Sequence, residues 1–492
     1  MFEKITPEAA GISSRRVHAY IDYLNRRGLA MHSVLLSKGD SLFAEAYWRP
    51  FDRDFCHRMY SETKSYTAIA IGLLEEEGKL SLDDTIASHF PELCDRELPP
   101  ALAEQTIRDM LVMRTSSHLP VGWFRAEDDD RTHLYLNTGD GHRRPATLWE
   151  YDSAGSQVLS SLAEKLSGKS LFDYLNEKIF RHLGTFKTAE ILKTRNGDSW
   201  GDSALICTSR DMLSFARFLM KGGVWNGQRL MNENYIRTAT SRLADNHMTP
   251  FTTATRHGYG YQIWCYEQGY GFNGMGGQYT ICVPECDLVF VCTADNQGNL
   301  GAGETVINGF FDYIVRGMAD APLAEDPEGV AALEAFTSEL SLVVAPGKPT
   351  SPLMAQLSGR TYVAEPNRTG ITRFSFVFKP DGTGEFRYTN AQGDKVLPFG
   401  LGKNLFTHFP QYGYSDGVGG AFGGEDFFYR CASSAAFGED AVLHLRVQII
   451  DRYFGNMFAT FAFRDGDVAV RFTSAAENFL GEYQGLFTAK AE

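Results

Sequence analysis

The 492-residue chain has little of what marks nucleic-acid-binding or membrane proteins. Acidic residues outnumber basic ones by 61 to 47, so the net charge is -14 and no basic surplus is left for nucleic acid or anionic lipid. No apolar run approaches the length of a membrane span, and the first residues lack the basic and apolar stretches of a secretory leader. We therefore expect neither nucleic acid nor a membrane as a partner.

Cysteines are also few, 8 in all, and no two of them form a Cys-x-x-Cys pair. Cys282, Cys286 and Cys292 lie close together, but in strand-like sequence around Pro284. Buried free thiols are a more ordinary interpretation of such residues than a metal centre or a disulfide. Reduced thiols and the lack of a leader favour a cytoplasmic location.

The chain does contain enough apolar sequence for more than one folded core. Its hydrophobic content of 43% and charged content of 22% are typical of soluble globular proteins. Strand-like sequence at 33–48 is followed by mostly helical sequence to about residue 240, and strands return at 259–264 and 279–294. This order predicts an α+β domain over residues 1–320. We expect an antiparallel sheet, flanked by helices, whose first and last strands are neighbours, and an all-helical subdomain.

The sequence changes character after residue 320. Prolines punctuate residues 321–352, which we interpret as a linker. Residues 353–492 contain alternating or apolar runs separated by Asp-Gly and Gly-Gly turns, and this pattern predicts a separate all-β barrel or sandwich. Aromatic residues among its glycines could form a binding platform, although a packed domain is the more ordinary interpretation. These aromatic residues are Phe409, Tyr412, Tyr414 and Phe422.

The strongest local signal for chemistry is Ser61-Glu62-Thr63-Lys64, the one Ser-x-x-Lys in the sequence. An apolar run from Tyr66 to Leu74 follows it, so we expect a helix on which positions i and i+3 share a face. A lysine that is half-buried there can lose enough solvation to take the serine proton, and a helix N-terminus favours a developing oxyanion. The spacing therefore predicts a nucleophilic serine with a lysine base.

Two later segments can complete such a site. Tyr151 and Ser153 precede a second helical stretch, and a tyrosine held beside a lysine can relay a proton to a leaving group. Residues 272–278, Phe-Asn-Gly-Met-Gly-Gly-Gln, run into a strand. Glycines at a strand edge let backbone N–H groups approach a substrate closely, so this segment predicts an oxyanion hole.

Together these three segments resemble the serine β-lactamase and penicillin-binding-protein superfamily, in particular its class C-like branch of esterases, D-peptidases and 6-aminohexanoate hydrolases. The resemblance covers about residues 5–315. It implies a β-lactamase/transpeptidase-like fold. It also implies that Ser61 is the acyl-enzyme nucleophile, Lys64 its base and Tyr151 the proton shuttle.

The same resemblance assigns the remaining site residues. Ser153 matches the Tyr-x-Ser form of the family's second motif, and Gly274 matches the glycine of its third. The oxyanion hole would then consist of the backbone N–H groups of Ser61 and Met275. Phe272 stands where the family usually has lysine or histidine. We therefore expect an apolar wall there and weak or no activity on β-lactams, whose carboxylate such a cation would bind.

Other interpretations of the same residues remain open. Residues 269–274 match Gly-x-Gly-x-x-Gly, but they lead into a strand instead of a helix, so no nucleotide cofactor is expected. His57 and His118 could serve a Ser-His triad, although Lys64 already supplies a base. The acidic triplet at 128–130 is more typical of a solvated face than of a metal site.

The leading hypothesis is a serine hydrolase that acts by acyl transfer on a small-molecule ester or amide, without a cofactor or a metal. The alternative is a non-catalytic ligand- or penicillin-binding protein with the β domain as a binding or interaction module. Covalent labelling by a fluorophosphonate distinguishes the two, since only an activated serine reacts. The sequence leaves the oligomeric state open.

Overall fold

The structure is a computed structural model that describes residues 2–117, 119, 130–249, 252–412, 428–477 and 479–492. It divides into two compact units. The first contains residues 1–296 and 301–341, and the second contains residues 297–300 and 342–492. Among the described residues, no helix is both long enough and apolar enough to cross a membrane.

Most helices of the first unit lie between its early and late strands. In chain order the α-helices are α1 (Ser14–Arg26), α2 (Thr63–Glu76), α3 (Pro100–Ala103), α4 (Ile107–Leu111), α5 (Arg131–Thr138), α6 (Ser153–Ser167), α7 (Leu171–Leu175), α8 (Arg181–Leu183), α9 (Ser209–Met220), α10 (Glu233–Ala239), α11 (Ala302–Gly309), α12 (Pro327–Ser338) and α13 (Leu353–Leu357).

The strands fall into two groups, one in each unit. Those of the first unit are β1 (Glu3–Lys4), β2 (Met31–Lys38), β3 (Ser41–Tyr47), β4 (His57–Arg58), β5 (Glu190–Ile191), β6 (Leu205–Cys207), β7 (Val224–Trp225), β8 (Gln228–Arg229), β9 (Trp264–Cys265), β10 (Tyr270–Gly274), β11 (Gln278–Val283) and β12 (Leu288–Ala294). Those of the second are β13 (Thr361–Ala364), β14 (Arg373–Phe378), β15 (Thr383–Asn390), β16 (Gly393–Leu401), β17 (Leu405–Tyr412), β18 (Phe428–Phe437), β19 (Val442–Ile450), β20 (Phe454–Arg464), β21 (Asp467–Ala476) and β22 (Gly485–Ala491).

The main sheet of the first unit places early and late strands side by side. Its order is β1-β3-β2-β12-β11-β10-β9, and every pair except β1–β3 is antiparallel. β2 pairs directly with β12, with Leu35 opposite Val291, so the prediction that the first and last strands are neighbours is confirmed. Both strands are buried over nearly their whole length, which explains the apolar runs at their centres, Val34–Leu36 in β2 and Leu288–Cys292 in β12.

α2 is the most enclosed helix of this unit. All its residues from Thr63 to Leu74 are buried, so it is covered by neighbours on every side. Gly72 permits one of these contacts, because a Cβ there would lie 2.4 Å from the ring of Tyr235. The Tyr235 hydroxyl donates to the carbonyl of Ala68 at 2.6 Å. The turn that precedes α2 is therefore held against a rigid support.

A small sheet connects the segment before α2 to two strands of the region between α2 and β9. Its order is β4-β6-β5, and it joins the segment just before the Ser-x-x-Lys motif to β6. The N–H of Met59 donates to the carbonyl of Leu205 at 2.8 Å, and the N–H of Leu205 donates to the hydroxyl of Thr63 at 3.0 Å. These bonds attach both ends of the motif's turn to one strand.

The second unit is a closed sheet. Strands adjacent in sequence pair antiparallel from β13 to β16 and from β17 to β22, and β22 pairs with β13. A parallel pairing between β16 and β18 closes the sheet into a barrel. Alternate residues point inwards, and Phe374 and Phe376 on β14 pack against Phe386 and Phe461. The predicted C-terminal all-β domain is confirmed.

Candidate active site

Ser61 lies on a turn that leads directly into α2. Residues 60–62 form one turn of 3₁₀ helix, and Thr63 begins the α-helix. Tyr60 has a φ of 49°, which is unusual for a residue with a bulky side chain. This conformation bends the chain sharply just before Ser61, whose side chain is half-buried at the start of the helix. The positive end of the helix therefore faces the serine.

The side chain of Lys64 lies within hydrogen-bond distance of this hydroxyl. It is 1% exposed, and its Nζ lies 3.0 Å from Ser61 Oγ. The same Nζ donates to the backbone carbonyl of Asp202 at 2.8 Å and lies 3.7 Å from the carboxylate of that residue. Asp202 is itself buried, at 6% exposure. The lysine is thus held in one orientation, with one of its bonds directed at the serine.

Tyr151 is on the other side of Lys64. The Lys64 Nζ lies 5.1 Å from the centre of the Tyr151 ring. Tyr151 stacks on Trp264, with ring centres 5.6 Å apart and planes inclined by 22°, and Trp149 packs on both rings. The neighbouring Asp152 caps α6 by accepting from the N–H of Gly155. The structure therefore brings Ser61, Lys64 and Tyr151 together, as the sequence predicts.

Ser153 is the first residue of α6 and is half-buried. It follows Tyr151 by two residues, as the Tyr-x-Ser motif requires. Its role in substrate binding stays a prediction.

The end of β10 lies close to the turn that carries Ser61, residues 59–62, which we call the nucleophile turn. A Cβ at Gly274 would lie 2.1 Å from the carbonyl oxygen of Met59, so a side chain at this position would push the strand away from the turn. Met275 follows in the tight connection to β11 and is 39% exposed. Gln278 holds this connection in place, since its Nε2 donates to the carbonyls of Met275 at 2.7 Å and Ala294 at 2.8 Å. The assignment of the Met275 N–H to the oxyanion hole stays a prediction.

Phe272 is not placed as we expected. Its side chain is fully buried and packs against Tyr66 and Phe215, with ring centres 6.3 and 5.9 Å away. Residues 272 and 274 share one face of β10, and that face is covered by the turn and helix that carry Ser61. Phe272 is therefore part of the core, and the expected apolar wall of the substrate cleft is not formed by this residue.

Two residues that sequence reasoning missed contribute to the geometry. Asp202 fixes Lys64, and Gln278 fixes the connection that contains Met275. Asp202 lies in Gly197-Asp198-Ser199-Trp200-Gly201-Asp202, which contains a formal Gly-x-Ser-x-Gly. That motif is not a nucleophile elbow, because Ser199 is 1% exposed, bonds Glu164 and is not followed by a helix.

His57 is buried away from solvent. Its Nε2 lies 2.8 Å from His32 Nδ1, and its Nδ1 lies 2.8 Å from the carbonyl of Arg58. Burial lowers the pKa of His57 to about 3, and burial together with His57 lowers the pKa of His32 well below its usual value. The ring of Phe51 stacks on His32 at 3.8 Å. These contacts describe an uncharged pair built into the core.

Several residues singled out in the sequence lie outside the described residues. They are His118, Asp128, Asp129, Tyr414 and Phe422. Of the candidate platform in the β domain, Phe409 is fully buried and packs against Tyr483. Among the described residues, no group of three or more His, Cys, Asp or Glu side chains is arranged to hold a metal ion.

A family model described as Beta-lactamase matches residues 17–305, which is more than half of the chain and includes every candidate site residue. The chain belongs to the β-lactamase family. The β-lactamase-like fold class predicted from the three motifs is thereby confirmed.

Curated proteins that are similar in sequence to this β-lactamase-family chain include hydrolases and penicillin-binding proteins. The 6-aminohexanoate-dimer hydrolase of Paenarthrobacter ureafaciens is 26% identical over 282 residues, which cover 53% of this chain and 71% of the relative. Penicillin-binding protein 4* of Bacillus subtilis is 30% identical over 151 residues, 28% of this chain and 32% of its own. These matches place the chain in a family that includes hydrolases.

Solved structures agree on the fold. A penicillin-binding protein homologue from Caulobacter crescentus superimposes with a TM-score of 0.50 at 16% identity, over 62% of this chain and 99% of its own. At this identity the likeness shows the fold alone.

Proposed function

We propose that this protein is a metal-independent serine hydrolase that cleaves a small ester or amide through an acyl-enzyme on Ser61. The observation that carries the proposal is the buried Lys64 Nζ at 3.0 Å from the Ser61 hydroxyl. That distance is within hydrogen-bond reach for proton transfer, so the lysine can act as general base without a metal-bound water.

The proposed reaction uses three side chains in order. Lys64 takes the proton from Ser61 as its Oγ attacks the carbonyl carbon of the substrate, and the carbonyl oxygen becomes an oxyanion near the N–H groups of Ser61 and Met275. Tyr151 then gives a proton to the leaving alcohol or amine as the bond to it breaks. Water then attacks the acyl carbon of the Ser61 ester, the bond from that carbon to Oγ breaks, and the carboxylic acid is released. Tyr151 takes a proton from the attacking water, and Lys64 returns its proton to Ser61 Oγ.

The surroundings of the site support neutral substrates. The carboxylate of Asp202 lies 3.7 Å from Lys64 Nζ, so the charge that Lys64 carries when protonated is already balanced by an acid and attracts a substrate carboxylate only weakly. Tyr151 and Trp264 present stacked aromatic rings beside the same lysine. The relative from Paenarthrobacter ureafaciens acts on 6-aminohexanoate dimer according to its name. We propose the same broad substrate class, short esters or amides, with weak or no activity on β-lactams.

Covalent labelling tests the proposal directly. A fluorophosphonate should add to Ser61 in the full-length protein, and mass spectrometry should place the adduct on the peptide that contains this residue. Ser61→Ala should abolish labelling and reduce ester hydrolysis by about 10³-fold or more, while Ser65→Ala, four residues further along the same helix, should still be labelled. An adduct that persists in Ser61→Ala would refute the nucleophile. A wild-type protein that binds substrates but neither reacts nor hydrolyses them would support the non-catalytic alternative.

A substrate panel tests the second half of the proposal. We expect a p-nitrophenyl ester of a short acid to be hydrolysed at least about tenfold faster, in kcat/KM, than a chromogenic cephalosporin. A chelator should leave both rates unchanged. Equal rates on the two substrates would contradict the preference for neutral acyl groups without affecting the assignment of Ser61.

A further inference from the structure

Glu62, the residue directly after the proposed nucleophile, is fully buried. Its Oε2 accepts from the hydroxyl of Thr280 at 3.2 Å. Its other oxygen, Oε1, is buried and has no hydrogen-bond partner among the described residues. A buried carboxylate with one unpartnered oxygen would be costly, whereas a carboxylic acid in the same place is tolerable.

Among the described residues, no cation is one of the groups that shift the pKa of this carboxyl. The Thr280 backbone and hydroxyl favour the charged form, but burial outweighs them and raises the pKa of Glu62 well above its usual value. The titratable groups that face it from neighbouring elements are neutral or acidic. They are Tyr66, Cys207, Tyr266, Cys282 and Cys292.

Thr280 is at a position that connects two parts of the site. It lies on β11 and is paired with Phe272 on β10, two residues before Gly274. The contact between Glu62 and Thr280 therefore joins the nucleophile turn to the β10–β11 hairpin, whose connection contains Met275. Of the two proposed oxyanion donors, the N–H of Ser61 is adjacent to Glu62 in the chain, and the N–H of Met275 lies in the β10–β11 connection, five residues before Thr280.

We propose that Glu62 is a positioning residue that, as an uncharged carboxylic acid, fixes the nucleophile turn against the β10–β11 hairpin and so sets the geometry of the oxyanion hole. The inference rests on the proposed function, because it concerns the same site. Glu62 does not touch the reacting atoms in this account. It acts through Thr280 and the backbone on either side.

The main test compares two substitutions of similar size. Glu62→Gln keeps an uncharged hydrogen-bonding group, so its kcat should stay within about threefold of wild type, whereas Glu62→Leu should lower kcat by about 10- to 100-fold with little change in KM. Thr280→Val removes the partner hydroxyl and should reproduce part of the Glu62→Leu loss. The double variant Glu62→Leu/Thr280→Val should be no worse than Glu62→Leu alone, since both changes break the same link.

Thermal unfolding gives a readout that does not depend on catalysis. A carboxyl whose pKa is raised on folding contributes stability that is fully present below the unfolded value, about 4.5, and is lost as the pH rises through the folded value. Wild-type Tm should therefore fall with rising pH relative to Glu62→Gln, which has no proton to lose. Glu62→Leu should also remove this pH dependence of Tm, although it breaks the contact with Thr280.

The outcomes separate the two proposals. If wild-type protein fails to react with fluorophosphonate, the proposed function is wrong whatever Glu62 does. If wild type reacts and folded Glu62→Leu has an unchanged kcat, Glu62 has only a structural role and the inference is refuted. Loss of activity in Glu62→Gln equal to that in Glu62→Leu would refute it too, because it would show that the ionised carboxylate is required.

Discussion

The cores of the two units are built differently. The barrel core is dominated by aromatic contacts such as those of Phe376 with Phe386 and Phe461, which stabilise it through apolar burial. The first unit has an aromatic core as well, but around Ser61 it also buries Glu62, Lys64 and Asp202, at 0%, 1% and 6% exposure. The barrel buries ionisable side chains too, but Lys395, Asp451 and Arg446 keep 7–9% exposure. Burying such groups costs free energy that no packing requirement explains. The three deeply buried groups lie together at the proposed active site, where a functional role would offset this cost.

The largest effects that we expect are on stability, in both units. Phe461→Ala in the barrel and Phe272→Ala in the first unit should each reduce the free energy of unfolding by about 3–5 kcal/mol, because each leaves a cavity in a packed core. Phe272→Lys should cost more than Phe272→Ala, since it buries a cation. Denaturant unfolding of the three variants measures this. A Phe272→Lys protein as stable as wild type would show that residue 272 reaches solvent after all.

A substitution of Lys64 should lower activity while the protein stays folded. Lys64→Arg should lower kcat/KM by about 10²- to 10³-fold, because a guanidinium stays protonated and cannot act as the base. Ester hydrolysis measures the loss, and circular dichroism checks that the variant is folded. Lys187→Arg, at an exposed lysine of the same unit, is the control and should be fully active. Most of the activity surviving in Lys64→Arg would mean that another group takes the serine proton.

A smaller loss is expected when only a hydroxyl is removed. Tyr151→Phe keeps the stacking on Trp264 but cannot protonate a leaving group, so kcat should fall by about 10²-fold. The fall should be larger for amides than for p-nitrophenyl esters, whose leaving group needs no proton. The half-buried Tyr23→Phe serves as the control, with no change expected. Equal losses on both substrates would argue against a role in leaving-group protonation.

The smallest effect at neutral pH is that of His57, and it grows as the pH falls. The pKa of His57, lowered to about 3 by burial, means that the unfolded chain takes up a proton below about pH 6.5 while the folded chain does not. Stability should therefore fall by about 1.4 kcal/mol per pH unit for this group as the pH is lowered from about 6.5 towards 3. His57→Gln should flatten the slope of unfolding free energy against pH. His408→Gln, at an exposed histidine of the barrel, should leave it unchanged.

The sequence predicts the parts of the site that depend on local geometry. Ser61 and Lys64 are one helical turn apart, so their contact follows from the helix alone. Asp202 could not be found in this way, because its contact with Lys64 joins residues 138 positions apart and its surrounding sequence has no period. Phe272 was assigned to the right strand, but its direction depends on which face of β10 the nucleophile turn covers. That fact is set by tertiary packing.

The strands, too, are predicted where the local sequence pattern is strong and missed where it is weak. The hairpin β2–β3 and the neighbouring strand β12 are predicted correctly, since long apolar or alternating runs identify them. In the barrel, the alternating or apolar segments at β14, β15, β18, β19 and β20 are recognised. Strands β13, β16, β17, β21 and β22 are missed. β16 begins with Gly393 and Asp394 and contains Pro398, residues that are unfavourable in strands, so its pairing becomes visible only once its neighbours are in place.

Gly274 has a consequence for mutational tolerance. The position contributes no side chain and no proposed catalytic group, yet a single methyl there would overlap the carbonyl of Met59. In a saturation library, Gly274 should therefore be as intolerant as Ser61 in a selection for activity, while exposed Met275 accepts many side chains, because only its backbone is needed. Gly274 and Met275 would then show opposite substitution profiles, although they are adjacent and belong to the same proposed site.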